Sequence, residues 1–254
     1  MVEANLFQLL YEIHLFSLSC DLPLVTKRFY DVFASSSTFY KAQYLLGRSE
    51  GALSQGGTAK MYSMLLRYRL CTLEVLDNVV ECLRRRKHVF SSAESRVELP
   101  KRLFRGLKPH QNSTSEEEEQ VLLFLRHLRN HPGLPRINWD SHQGYPLSKA
   151  VHSGSVRLAT FLLDRGASPE EHGCIAAKIV IRQKDLAMLK LLVEYIPSRL
   201  RKSGKKRKPK DRFKPDSTLL KLAVEVGAND VVEYLYREKK VMPDMGTLNK
   251  MSLG

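Results

Sequence analysis

The sequence predicts an all-α protein in which an array of helical repeats follows a small helical head. The main observation is the segment GYPLSKAVHSGSVRLATFLLDRGASP at 144–169, which recurs without a gap as TLLKLAVEVGANDVVEYLY at 218–236. A degraded copy lies between them, offset by 30 residues from the first (154 to 184) and by 43 from the last (184 to 227). Apolar residues also recur at helical spacing over 6–16 and 59–86. Repeats of roughly 33 residues are typical of stacked helix pairs.

Residues 1–46 predict the helical head. Apolar side chains recur at helical spacing over 6–16, and 22–46 is again helical in pattern and rich in aromatic residues. The segment EANLFQLLYEIHLFSLSCDLPLVTKRFYDVF resembles an F-box, whose order of apolar blocks followed by Lys-Arg-Phe is present here. The opening Leu-Pro of that family is absent, the stretch from Asp21 to Val25 is shorter than usual, and Thr26 stands where the family has Cys.

The F-box resemblance implies a trio of helices that docks the Skp-family adaptor of cullin–RING ubiquitin ligases. The adaptor contacts that it implies are Leu6, Leu9, Leu10, Ile13, Phe16 and Leu22. The alternative is a helical cap, because the terminal repeats of an array need a neighbour whose outer face tolerates water.

The middle of the chain predicts a linker and then divergent repeats. Residues 47–58 are rich in Gly and Ser and predict the linker. Residues 59–137 predict divergent helical repeats: a helix pair over 59–86 joined at Cys71-Thr72, an irregular stretch over 87–115, and a helix from Glu116 to about Asn130. Four Glu residues in the first turn of that last helix suit the helix dipole.

Residues 138–254 carry the clearest repeats. The first copy keeps Pro146 and Leu147, then Ala150 and Gly154, and these positions resemble the ankyrin repeat. Pro suits the first turn of a helix, Ala lets paired helices approach, and Gly ends the helix in a left-handed turn. The last copy keeps the Ala and the Gly, and the middle copy has lost both the opening tetrad and its Gly.

An array of this kind presents a surface rather than a pocket, which favours binding over catalysis. We expect an unknown client protein to contact the hairpin tips and inner helices. The candidate contacts are His142, Tyr145, Lys149, His152, Glu170, Glu171 and His172.

A basic insert at 198–216 interrupts the repeats. Its core, 199–214, holds ten Lys or Arg and one Asp, a net charge of +9 out of +14 for the chain. Lys205, Lys206, Arg207 and Lys208 resemble a nuclear import sequence that an importin would bind. A solvated loop and a phosphate-binding loop remain the alternatives, although the insert lacks the interleaved aromatic residues of single-strand binders.

Catalytic and cofactor motifs are absent from the sequence. It has no GxSxG, HExxH, Walker loop or GxGxxG, so we expect neither an enzyme nor a cofactor. His127 and His131 have a chelating spacing, but no acidic or Cys partner is in register, so no metal site is predicted. Four scattered cysteines, no secretory signal and no apolar run of membrane length predict an intracellular protein, nuclear or cytoplasmic, without a membrane partner.

Together these patterns predict a non-catalytic protein that recruits substrates to a cullin–RING ubiquitin ligase. The alternatives are an ankyrin-repeat scaffold without a link to ubiquitin and a nucleic-acid-associated protein that uses the basic insert.

Overall fold

The computed structural model describes residues 2–85, 96–109, 116–195 and 213–252. This part of the chain is mostly helical. None of its helices is long and apolar enough to cross a bilayer. The chain divides into two compact units, the first comprising Met1–Pro100 with Phe124–Asn138, the second Lys101–Leu123 with Trp139–Gly254. The residues predicted as one region, 59–137, are therefore shared between the two units.

The first unit is built on a long helix. Its helices are α1 (Val2–Ser17), α2 (Lys27–Ala34), α3 (Thr38–Leu65) and α4 (Leu73–Arg85), with a 3₁₀ turn at Leu22–Leu24. α3 packs against both α1 and α4. Two short parallel strands, β1 (Val97–Glu98) and β2 (Ile137–Asn138), pair with each other, and β1 lies along α3.

The predicted linker at 47–58 is wrong, because these residues belong to α3. Two of its four glycines, Gly47 and Gly57, have other roles. Gly47 lets α3 pass close to Leu18, since a Cβ at Gly47 would lie 2.7 Å from Leu18 Cδ2. Gly57 has φ 69° and ψ −173°, which puts a kink into α3 that a glycine tolerates. A Gly-rich composition here marks packing and a kink rather than a break between domains.

The second unit consists mainly of helix pairs. Its helices are α5 (Arg102–Arg105), α7 (Ser141–His152), α8 (Val156–Asp164), α9 (Glu171–Gln183), α10 (Leu186–Glu194), α11 (Ser217–Val226), α12 (Asn229–Glu233) and α13 (Met245–Ser252). The helix α6 (Glu116–Asn130) is shared by the two units in sequence and ends where the sequence predicted. A single π turn, Tyr234–Glu238, follows α12.

The first helices of the three pairs lie side by side in the order α7, α9, α11, and α10 contacts both α8 and α12. The buried faces of these helices carry the residues aligned between the copies. Leu147 and Ala150 of α7 are matched by Leu220 and Ala223 of α11, and all four are buried. In α9 the corresponding residues are Ala177, in place of the Leu, and Val180, in place of the Ala. The order of the small and the larger side chain is therefore reversed, and both remain buried.

The three first helices end in the same hydrogen-bonded turn. In α7 the amide of Ser155 donates to the carbonyl of Ala150 and that of Gly154 to Val151. The equivalent bonds, 30 residues on, run from Asp185 to Val180 and from Lys184 to Ile181; 43 residues further they run from Ala228 to Ala223 and from Gly227 to Val224. This is the Schellman motif. Its recurrence at the aligned positions supports the alignment of the degraded middle copy.

The middle copy makes this turn with Lys184 in place of Gly. Lys184 has φ 57° and ψ 31°, which is the left-handed conformation that Gly154 and Gly227 adopt in the other copies. A non-glycine residue pays roughly 1–2 kcal/mol in that conformation. The neighbouring Asp185 offsets part of this cost by capping α10, since its Oδ1 accepts a hydrogen bond from the amide of Met188 at 2.9 Å.

We therefore expect Lys184→Gly to raise the free energy of unfolding by about 0.5–1 kcal/mol, the relief of strain less the extra backbone entropy of glycine in the unfolded chain. Denaturant titration followed by circular dichroism measures the change. The matched control is Lys178→Gly, within α9 itself, which should lower stability by about 1 kcal/mol. If both substitutions lower stability alike, Lys184 is not strained.

Candidate adaptor-binding and client-binding surfaces

One face of α1 is apolar and exposed. Leu6, Leu9, Ile13 and Phe16 have exposed fractions of 51%, 55%, 48% and 86%. Their spacings of three, four and three residues place them in one row along the helix. We call these four residues the α1 apolar row. Four exposed apolar side chains in a row indicate a binding surface more than scattered exposed residues would.

Two further apolar side chains are exposed shortly after the end of α1 in the sequence. Leu24 and Val25, at the 3₁₀ turn, are 72% and 64% exposed. The two other predicted adaptor contacts, Leu10 and Leu22, are only half-exposed. The structure thus leaves four of the six predicted contacts largely free and holds two of them partly within the head.

A buried histidine anchors the opposite face of α1. His14 is 3% exposed and stacks on Tyr44 of α3, with the ring centroids 4.3 Å apart, and lies equally close to Phe33 of α2. Its Nδ1 is 2.6 Å from Tyr40 Oη, and its Nε2 is 2.9 Å from the carbonyl oxygen of Ser19. This cluster orients α1, so that the apolar row faces away from α3.

Three further side chains hold the same corner by hydrogen bonds to backbone carbonyls. Tyr11 Oη donates to Val32 at 3.0 Å, Tyr44 Oη to Ser19 at 3.0 Å, and Arg48 Nη1 to Leu18 at 2.9 Å. Loops whose carbonyls are satisfied in this way are fixed in position. The head is therefore held by specific polar contacts as well as by its aromatic packing.

Burial of His14 makes the head sensitive to acid. Desolvation lowers the pKa of His14 below its ordinary value, and the hydrogen bond to Ser19 offsets this only in part. Between the lowered folded-state pKa and the ordinary value of about 6.5, the unfolded chain binds more protons than the folded one. Stability due to this residue is therefore complete above about pH 6.5 and is lost as the pH falls through the folded-state pKa.

We expect an NMR titration of the His14 ring to give a midpoint below about 6.5, because burial disfavours the charged imidazole. His14→Phe keeps an aromatic ring in the cluster, so the acid-induced loss of stability should be shallower in that variant than in the wild type. A His14 midpoint at or above about 6.5 would contradict this account.

The predicted client contacts at the tips lie in two turns of the same shape. His142, Gln143 and Gly144 all have positive φ, and so do His172, Gly173 and Cys174 thirty residues later. The two turns touch, since a Cβ on Gly144 would lie 2.8 Å from Glu171 Cβ. His172 and Glu170 are exposed, whereas His142 and Glu171 are half-buried. The second tip is therefore the more accessible of the two.

Two predicted client contacts are engaged within the chain. The ring of Tyr145 packs edge-to-face on Phe104 of α5, and Lys101 Nζ lies 5.5 Å from the centre of the Tyr145 ring. Lys149 Nζ donates to the carbonyl of Leu107 at 3.2 Å. Tyr145 and Lys149 thus hold the segment 101–107 against α7, and each of these predicted client contacts also has a role within the fold.

His152, the remaining predicted client contact, is half-buried, and its buried Nδ1 has no hydrogen-bond partner among the described residues. Trp139 beside the first tip packs edge-to-face on Phe161 at 5.8 Å and so serves the fold. The import residues Lys205–Lys208 lie outside the described residues.

A polar cluster in the first unit was missed by the sequence analysis. Nε2 of His127 is 2.7 Å from Asp77 Oδ1, and Nε2 of His131 is 3.2 Å from the same atom. Asp77 lies on α4, 50 residues before His127, so the residue spacing within the helix that carries the histidines does not indicate it. The expectation that these histidines have no acidic partner is wrong.

No protein-family model, no curated protein and no solved structure matches the chain.

Proposed function

We propose that the chain is a non-catalytic recruitment protein, in which an F-box-like head binds a Skp-family adaptor of a cullin–RING ubiquitin ligase and ankyrin-type repeats bind a client. The observation that carries this proposal is the exposure of the α1 apolar row. Four of the five α1 residues selected by their place in the F-box pattern are turned towards solvent, whereas Leu10 and the sixth predicted contact, Leu22, are half-buried. A set chosen by pattern alone, in an amphipathic helix packed on α3, would more often fall on the buried face.

The same observation weighs against the alternative of a cap. A helix that only caps an array buries its apolar face against the neighbouring repeat and exposes a polar one. In α1 the packed face is occupied by His14 and its aromatic neighbours, and the apolar row is left uncovered. An uncovered apolar row of this kind fits a partner that supplies an apolar groove.

The ankyrin part of the proposal rests on the recurring helix ends. Three helix pairs share the same Schellman turn at aligned positions, and two of them share the left-handed tip. Tyr145 and Lys149 contact the segment 101–107, so they are left out of the client surface that we propose. That surface consists of the second tip, with Glu170 and His172, and the accessible side of the first tip at His142. The client itself is a protein of unknown identity.

The test is direct association of the full chain with a purified Skp-family adaptor, measured by interferometry. A Kd of about 1 µM or below, roughly −8 kcal/mol, is expected for a functional head. Lack of association at tens of micromolar would contradict the ligase role and leave the scaffold alternative, for which clients should co-purify with the tagged chain without ligase subunits.

The nucleic-acid alternative depends on the basic insert, and the same preparation tests it. Binding of random DNA or RNA that weakens steeply with salt would support that alternative, because neutralising several phosphates releases their counterions. Binding to the adaptor through the α1 apolar row should depend far less on salt, since apolar contacts are not screened.

A further inference from the structure

The group formed by Asp77, His127 and His131 has the composition of a metal site. Among the described residues, these three bring one ligand atom each to within 4.8 Å of one another. Imidazole nitrogen and carboxylate oxygen are ligands that Zn²⁺ takes in proteins, and three protein ligands with a water is a common zinc arrangement. We propose that Asp77, His127 and His131 bind one Zn²⁺ ion, with a water molecule as the fourth ligand.

The distances are close to those that zinc requires. Each ligand atom of a tetrahedral zinc ion is about 2.0–2.1 Å from the metal, which puts two such atoms about 3.3 Å apart. The separation of His131 Nε2 from Asp77 Oδ1 is 3.2 Å and needs almost no change, and that of His127 Nε2 from the same atom must widen from 2.7 Å. Side-chain rotations that shift the ligand atoms by a fraction of an ångström therefore suffice for these two pairs.

The backbone holds the ligands in place. His127 and His131 are one helical turn apart on α6, which sets both imidazoles on one side of it. The turn after His131 packs on α4, because a Cβ on Gly133 would lie 2.3 Å from Val80 Cγ1. Only a glycine permits that approach, and it keeps His131 beside the helix that carries Asp77.

The surroundings leave solvent and ions access to the group. Asp77 and His131 line an open cavity of 420 Å³ together with Val80, Pro132 and Gly133. Arg84 also lines the cavity, but it pairs with Glu81, so its positive charge is offset within the cavity wall. The side chain of Asp77 is 48% exposed and those of His127 and His131 are 31% and 16% exposed.

Zinc binding has a consequence that marks this site. The amide of Gly133 donates to His131 Nδ1 at 3.2 Å, so the proton of neutral His131 is on Nε2 and points at Asp77. Zinc binds the lone pair of Nε2, so the ring proton must move to Nδ1. There it faces the N–H of Gly133, and two donors cannot form a hydrogen bond with each other. Binding therefore replaces the two hydrogen bonds to Asp77 and breaks the one from Gly133.

The experiment titrates the full chain with ZnCl₂ by calorimetry and by NMR. We expect one ion per chain, a shift of the Gly133 amide resonance on binding, and a melting temperature raised by about 5–10 °C at a zinc concentration 100-fold above Kd. Absence of zinc binding by the wild type, or binding that leaves the Gly133 amide unchanged, would overturn the proposal.

Two matched double variants identify the ligands. His127→Asn with His131→Asn should weaken binding by more than 100-fold, because loss of residues behind the ligands already costs about 10–100-fold. His142→Asn with His172→Asn removes two histidines elsewhere and should bind as the wild type does. Equal affinity of the two double variants, as binding by cysteine thiols would give, overturns the proposal.

A third variant decides the matter if the His127/His131 variant loses its helical circular dichroism. Asp77→Asn keeps the shape of the side chain and removes the negative charge that zinc requires. Binding weakened at least tenfold with the circular dichroism retained supports the site, and unchanged binding overturns it.

Discussion

Placing two carboxylates on the α1 apolar row should abolish association with the adaptor. In the variant Leu9→Asp with Ile13→Asp, we expect Kd to rise by more than 100-fold, since each central apolar contact of an interface contributes about 2 kcal/mol or more and each 1.4 kcal/mol is a factor of ten. Both side chains are about half exposed or more. The free energy of unfolding should therefore change by no more than about 1 kcal/mol. Interferometry and denaturant titration of the same preparations measure the two effects.

The control for added charge is Gln8→Asp, compared with the single apolar-row variant Leu9→Asp. Gln8 is exposed on α1 but lies on a different face from the apolar row, so the two variants each carry one new carboxylate at neighbouring positions of the same helix. We expect the control to bind within a few-fold of the wild type. If the control and the apolar-row variant weaken binding equally, long-range charge rather than the apolar row governs association.

The structure also explains why Leu10 is a poor choice for this test, although its place in the F-box pattern is equally good. Leu10 is half-buried within the head, as is Leu22. A carboxylate there would disturb the packing of α1 on its neighbours, so a loss of binding could follow from damage to the head alone. The exposed row separates the surface from the fold.

The register of the repeats could be predicted because local chemistry sets it. The end of each first helix depends on a few adjacent residues, and an Ala followed four residues later by a Gly specifies the helix contact and the turn. In the middle copy that Gly is Lys184, and the turn persists because the hydrogen bonds on both sides of it and the Asp185 cap hold the backbone. Propensity alone does not predict a lysine in the left-handed region.

The features that the sequence did not predict depend on contacts between distant residues. Asp77 reaches His127 and His131 because α4 and the end of α6 belong to one unit, which no local spacing reports. Tyr145 and Lys149 were assigned to a client for the same reason, since residues 101–107 that cover them were predicted only as irregular chain. Long-range packing, rather than propensity, decides these positions.

The Gly-rich stretch at 47–58 was predicted as a linker because glycine lowers helix propensity by about 1 kcal/mol per residue. Within α3 that cost is offset by burial of its flanks, where Leu45, Leu46, Tyr62 and Leu65 are all buried. Burial of a large apolar side chain contributes about 1.5–3 kcal/mol, so a few such residues outweigh the glycines.

The other large effect expected is a loss of stability on filling the contact between the first helices. Ala150 of α7 is fully buried, and α7 packs against α8 and α9. Ala150→Leu forces three extra carbon atoms into that contact, so we expect the free energy of unfolding to fall by about 1–3 kcal/mol. We expect Ala223→Leu in α11 to have an effect of similar size.

The control is Ala187→Leu, because Ala187 is exposed on α10 and the same added volume meets solvent. Urea titration of the three variants measures the differences, which should be within about 0.5 kcal/mol of the wild type for the control. Equal stability of Ala150→Leu and Ala187→Leu would mean that the helix pairs do not approach through their alanines, and the ankyrin-type packing proposed for them would then be untenable.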